Sequence, residues 1–257
     1  YTEAMVYGDF EKSDAEKTAR LFRQKTKTKG INRQEAFDLK YLKLDEPEII
    51  QYTDNLLVNN SCFFRQYVLG EDSPQIRAVS KIIGKAVQQP FFTEMRTNQQ
   101  LGYIVGSYTN NLDETHYLNF LIQSGVYPAD ELNRRADEFI ISSSEILNSM
   151  DSETFQKLVD SVIEELEKTP MSIAERARKL KTYIFEYDAD YLRDQDTIES
   201  LRTVDKETVS NLLDSTVSPQ SRRMINVLTF AENHDNITKV KSSFADLDIW
   251  KASRVYE

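Results

Sequence analysis

In the stretch from Gln89 to Ser107, QPFFTEMRTNQQLGYIVGS, an arginine and a tyrosine, Arg96 and Tyr103, stand on either side of a polar turn. A guanidinium offers several N–H donors in a rigid fork, and a phenol offers one O–H. Held at one turn between a helix and a strand, the two could act together on one bound carbonyl or anion. The same residues have a structural use. Arginine is favoured in a last helical turn, where it meets the negative end of the helix dipole, and tyrosine packs readily in a sheet. From residue types alone both readings stand.

Other chemistry is sparse. The two histidines, His116 and His234, are far apart, and neither has a second His, Cys or close carboxylate at zinc-ligand spacing. The glycines are scattered singly, so no phosphate-cradling loop forms, and no Gly-x-Ser-x-Gly nucleophile elbow is present. The single cysteine, Cys62, lies beside Phe63-Phe64 and reads as a buried strand residue. It cannot make an internal disulfide, which fits either a reducing or an oxidising compartment. The acidic groups Glu164-Glu165-Glu167 and Asp188/Asp190 read as solvated faces.

The elements that must position Arg96 and Tyr103 follow from periodicity. Ser73-Pro74 is a helix start, a capping oxygen followed by proline at the first helical position. Ile76, Val79, Ile82-Ile83 and Ala86-Val87 then carry the helical period to Gln88. Pro90 is expected to interrupt that helix and open a short second one holding Phe91, Phe92 and Met95. Gly102 is expected to supply the tight turn into a strand. Ile104–Tyr108 and Tyr117–Gln123 alternate about a loop over 110–115, the pattern of a hairpin.

Upstream, Met5 to Gly8 reads as a strand, Ser13 to about Lys25 as an amphipathic helix, and Thr26 to Gly30 as an exposed loop. Phe37, Leu39 and Tyr41 alternate as a half-buried strand, followed by strands at Ile49–Tyr52 and Cys62–Leu69. Strands without helices between them imply an antiparallel meander. After Pro128 the pattern is helical, with caps at Asp151, Ser172 and Asp205, until a last strand at Met224–Phe230. The expected fold class is α+β, a mainly antiparallel sheet covered on one face by helices. Residues 1–230 are expected to form one domain, and 231–257 a tail that docks on this or a neighbouring domain.

With 257 residues, 40% hydrophobic and 29% charged, the chain can bury an ample core. Its net charge of -10 opposes binding to a phosphate backbone, so no nucleic-acid partner is expected. No apolar run approaches the roughly 20 residues of a membrane-spanning helix. The start at Tyr1 suggests a piece of something longer.

PFFTEMRTNQQLGYIVGS resembles the Arg-Thr-x-x-Gln-Leu-Gly-Tyr segment in the C-terminal half of the pitrilysin/insulin-degrading-enzyme (insulinase) family of zinc metallopeptidases. The resemblance extends over about residues 4 to 230. Val6 to Phe10 looks like that half's opening strand, Phe120 to Ser124 its strand ending in Gln-Ser, and Met150 to Phe155 its Met-x-x-x-x-Phe helix start. Leu166 to Ala174 and Arg223 to Leu228 fit its later helix and last strand. The family builds four homologous α+β domains, paired into two halves that close on a peptide. The zinc and the general-base glutamate lie in the first domain, in an inverted His-x-x-Glu-His motif.

That motif is absent here, so the resemblance implies the last, non-catalytic domain, inactive alone, with zinc expected in the N-terminal half of the full-length protein. The expected partners are that catalytic half and a peptide substrate. Arg96 and Tyr103 correspond to residues that hold the substrate main chain and donate to the scissile carbonyl oxygen. Two alternatives remain: a structural subunit of the processing-peptidase kind, without chemistry, and a free-standing module whose Arg96 captures a carboxylate.

Overall fold

The computed structural model describes residues 3–27, 30–32, 35 and 40–256. Two compact units emerge, one of Tyr1–Lys40 with Lys168–Leu192, the other of Tyr41–Glu167 with Arg193–Glu257.

In the first unit, α1 (Lys12–Thr26) buries none of its side chains, and Phe10, Leu21 and Phe22 are exposed. Helix α6 (Ile173–Glu186) begins at Ser172, whose side chain accepts from the Glu175 N–H. The residues Met5 to Gly8, expected as a strand, pair with no other segment among the described residues. The alternation expected through Phe37 and Leu39 lies outside the described residues.

The second unit is built on five strands: β1 (Glu48–Asn55), β2 (Ser61–Glu71), β3 (Ile104–Leu112), β4 (Thr115–Ser124) and β5 (Arg223–Phe230), in the order β1-β5-β2-β4-β3. All pairs are antiparallel except β1 with β5. The sheet is therefore mainly antiparallel, but not the meander expected of β1 and β2, because β5 inserts between them. Asn226 shows why. Its amide donates to Gln51 on β1 and accepts from the buried Arg65 on β2, so β5 is a polar as well as a main-chain bridge.

One face of the sheet is covered by helices. Helix α2 (Pro74–Phe92) packs Val79, Ile82, Ile83, Val87 and Phe91 onto Phe63, Tyr67, Leu118, Phe120 and Ile122. Helices α3 (Ala129–Ile141), α4 (Ser144–Asn148), α5 (Ser152–Glu167), α7 (Arg193–Leu201) and α8 (Lys206–Val217) complete the layer. Caps expected at Asp151 and Asp205 are present, each accepting a backbone N–H three residues on. The segment 242–254 runs along the outer edge of β1. Ser242 and Ser243 accept from the Thr53 and Gln51 N–H groups, and Phe244 stacks between Tyr52 and Trp250 of α9 (Leu247–Ala252).

Candidate functional site

The site begins with α2. Ser73 caps it by accepting from Ile76, with Pro74 at the first position as expected. Pro90 does not end it. The helix continues through Pro90 to Phe92 and passes without a break into a π-helical turn, Thr93–Asn98. Proline lacks an N–H, and a few residues on the Thr93 N–H is shared between the Gln89 and Pro90 carbonyls. The widened turn that follows is the kind of helix irregularity that recurs at functional sites.

Several contacts fix the end of this turn. Met95 and Leu101 are fully buried, and the Leu101 N–H donates to the Met95 carbonyl at 2.9 Å. Glu94 accepts from Asn98 and Gln99, and those bonds hold its carboxyl below the usual range. The left-handed residue of the turn is Gln100, at φ 53°. Gly102 is required for a different reason: a Cβ there would lie 2.0 Å from the Gln123 carbonyl oxygen on β4. The turn is thus pressed against the main chain of the second hairpin strand.

Arg96 leaves the last π-helical turn and reaches over the loop. Its Nη1 donates to the Gly102 carbonyl at 3.0 Å and to the Tyr103 carbonyl. The guanidinium carbon sits 4.7 Å from the centre of the Tyr103 ring and 5.8 Å from that of Phe92. The structural use expected of the pair is not the one seen: Arg96 bonds the Gly102 and Tyr103 carbonyls beyond the helix rather than capping its last turn, and Tyr103 does not pack in the sheet. It is 83% exposed, immediately before β3. Nη2 and Nε of Arg96 and the Tyr103 hydroxyl make no hydrogen bond among the described residues, and together they form an exposed, prealigned donor group.

The remaining candidates are engaged elsewhere. His116 Nε2 lies 2.6 Å from Asp72, and His234 Nδ1 lies 2.8 Å from the Ser61 hydroxyl. Burial raises the Cys62 thiol pKa, the reverse of what a thiolate nucleophile needs. Among the described residues no cluster of three or more His, Cys, Asp or Glu could hold a metal, so the donor set does not fit a zinc site.

Sequence reading missed a buried ion cluster that only the fold assembles. Asp72 accepts from Arg77, Arg193 and His116, which come from α2, α7 and β4. Burial opposes ionisation of Asp72, yet these donors outweigh it and hold the carboxyl well below its usual range. His116 is shifted down, chiefly by burial.

Comparison with known proteins bears on this geometry. Residues 82–181 match the family model described as PQQ synthase PqqF-like, C-terminal lobe domain 4. Protease 3 of Escherichia coli O6:H1 is 25% identical over 168 residues, 64% of this chain and 17% of the relative. Insulin-degrading enzyme of Homo sapiens is 28% identical over 154 residues, 59% of this chain and 15% of the relative. The chain thus spans less than a fifth of the length of these relatives. A crystal structure of pitrilysin superposes with a TM-score of 0.77 at 17% identity, covering 97% of this chain and 27% of that one, a likeness of fold. The stretch matched by the family model includes the π-helical turn, Arg96 and Tyr103, and these similarities support a C-terminal domain of the insulinase (M16) peptidase kind.

Proposed function

We propose that this domain binds substrate and closes the chamber of a zinc metalloendopeptidase whose hydrolytic centre lies in another part of a longer polypeptide. The observation that carries the reading is the pairing of Arg96 with Tyr103, an exposed donor group on a turn fixed to β4. The described residues offer no zinc site, so the chain's contribution is binding and orientation. Arg96 Nη2 and Nε hold the substrate main chain, and the Tyr103 hydroxyl donates to the scissile carbonyl oxygen as negative charge develops there. Donors prealigned for a developing oxyanion are worth about 10²–10³ in rate each. Supplying them from a domain remote from the hydrolytic centre makes turnover depend on closure.

The test is peptide hydrolysis by the full-length protein carrying Arg96→Ala or Tyr103→Phe, with zinc content measured in parallel. Loss of kcat at unchanged zinc supports the role; wild-type rates in both variants reject it. The Nη1 bonds to the Gly102 and Tyr103 carbonyls suit the alternative of a structural, processing-peptidase-type subunit. In that case Arg96→Ala lowers the melting temperature and no peptide is hydrolysed by the parent protein.

A further inference from the structure

The sheet has two edges, and they are treated differently. The edge of β1 is lined by Ser242 and Ser243, whose hydroxyls take up its N–H groups. Strand β3 pairs only with β4 among the described residues. Its sequence, IVGSYTNNL, holds no proline and no charge, the devices that usually keep an edge from pairing.

A cleft of about 290 Å³ opens along this edge between α2 and α5. It is lined by Ser107, Tyr108 and Thr109 of β3, Lys81 and Gln88 of α2, and Glu165 of α5. Consecutive strand residues point to opposite faces, so a cleft touching three in a row reaches the edge itself. Ser107 is 2% exposed and its hydroxyl has no hydrogen-bond partner. A buried hydroxyl without a partner is costly unless something supplies one. Within the cleft, Lys85 is already bound to Ser161 and Glu165. Lys81 makes no ion pair among the described residues and leaves the cleft a spare positive charge.

We propose that this cleft binds an extended peptide segment carrying a carboxylate. The segment adds to β3 as a further strand, gives Ser107 its missing partner, and sets the carboxylate against Lys81. Strand addition of this kind draws affinity from main-chain hydrogen bonds and selectivity from side-chain pockets. Ser107 lies four residues beyond Tyr103, roughly 13 Å along the strand, so a paired segment would lead toward the Arg96–Tyr103 turn. That the ligand is a peptide rests on the peptidase reading above; the roles of Arg96 and Tyr103 are not assumed.

Fluorescence anisotropy of the 257-residue chain with dye-labelled short peptides tests this, using alternating threonine and glutamate, the same peptide with lysine for glutamate, and a version N-methylated at alternate residues. The glutamate peptide should bind, the lysine peptide about tenfold more weakly, and the N-methylated one not at all. Ser107→Ala should weaken binding roughly fivefold, the loss of about one hydrogen bond, without lowering the melting temperature. Lys81→Glu should remove the preference for glutamate. The roles of Arg96 and Tyr103 are read separately, by turnover of the full-length protein, so their failure and the failure of this proposal are distinguishable. Equal binding of the N-methylated peptide, no binding of the glutamate peptide, or unchanged affinity in both Ser107→Ala and Lys81→Glu would overturn the proposal. So would concentration-dependent dimerisation through β3 in place of peptide binding, which would make a second copy the occupant.

Discussion

The guanidinium of Arg96 lies over the ring of Tyr103, 4.7 Å from Cζ to the ring centre, while its Nη1 holds the Tyr103 carbonyl. One side chain thus grips both the main chain and the ring of the residue it is proposed to work beside.

If the two act together on a substrate carbonyl, their effects on rate are not additive. Arg96→Ala is expected to displace Tyr103 as well as remove its own donors, lowering kcat/KM about 10³-fold. Tyr103→Phe keeps the ring stacking and loses only the hydroxyl, costing about 10². The double variant should be no worse than Arg96→Ala alone, as measured by steady-state peptide hydrolysis in the full-length protein.

Gly102 tolerates no side chain. A Cβ placed 2.0 Å from the Gln123 carbonyl oxygen forces the turn away from β4. Gly102→Ala should destabilise the chain by about 2–3 kcal/mol in denaturant unfolding and displace Tyr103. Its loss of turnover should therefore exceed what the fraction folded explains.

Gln100 adopts a left-handed conformation at φ 53°. Such a conformation costs a residue with a Cβ roughly 1–2 kcal/mol, and glycine adopts it freely. Gln100→Gly should raise stability by about 0.5–1 kcal/mol, read as a higher denaturant midpoint at unchanged slope.

The Asp72 cluster ties stability to pH. Asp72 has its carboxyl pKa lowered on folding, so its contribution is present above the ordinary carboxylate value near 3.8 and is lost as pH falls below it. His116 is also shifted down, from 6.5, so the unfolded chain takes up its proton first and stability declines as pH falls through that value. The unfolding midpoint should be flat above about pH 7, fall through the histidine range, and fall again in the carboxylate range. His116→Gln should remove the first decline and keep the second. Asp72→Ala, which removes an acceptor shared by the Arg77 and Arg193 guanidinium groups, should cost about 3 kcal/mol at neutral pH.

Much of this fold is written locally. Ser73-Pro74, Asp151, Ser172 and Asp205 each announce a helix through the capping chemistry they then perform. Alternating burial is plain in β5 and in the first half of β2, whereas β2 near Tyr67–Leu69 and β4 near His116–Phe120 are buried on both faces. Pairing is less legible: nothing in Ile49–Tyr52 says that its neighbour lies in the last strand, since that choice depends on how Asn226 meets Gln51 and Arg65. Helix α7 escaped notice because its buried positions, Thr197, Ile198 and Leu201, are too few to set a period.

At the site, Arg96 and Tyr103 were legible as residues, but their mutual grip was not. Which residue would be left-handed, and why Gly102 must be glycine, depended on the approach of β4 from outside the turn. Ser107 gave no signal at all, because a serine in a strand is ordinary until its hydroxyl is found buried and unanswered.

The position of β5 has a consequence for how the protein is made. It is a central strand, joined to β1 on one side and β2 on the other, yet it follows all the other strands in the chain. A ribosome that has delivered residues up to Pro219 has released β1 without its partner and β2 with an open flank. Until Arg223–Phe230 emerges, the nascent chain carries four unpaired strand sides, two on β1 and one each on β2 and β3, where the finished sheet has two edges, and that interval is when a holding chaperone is most needed.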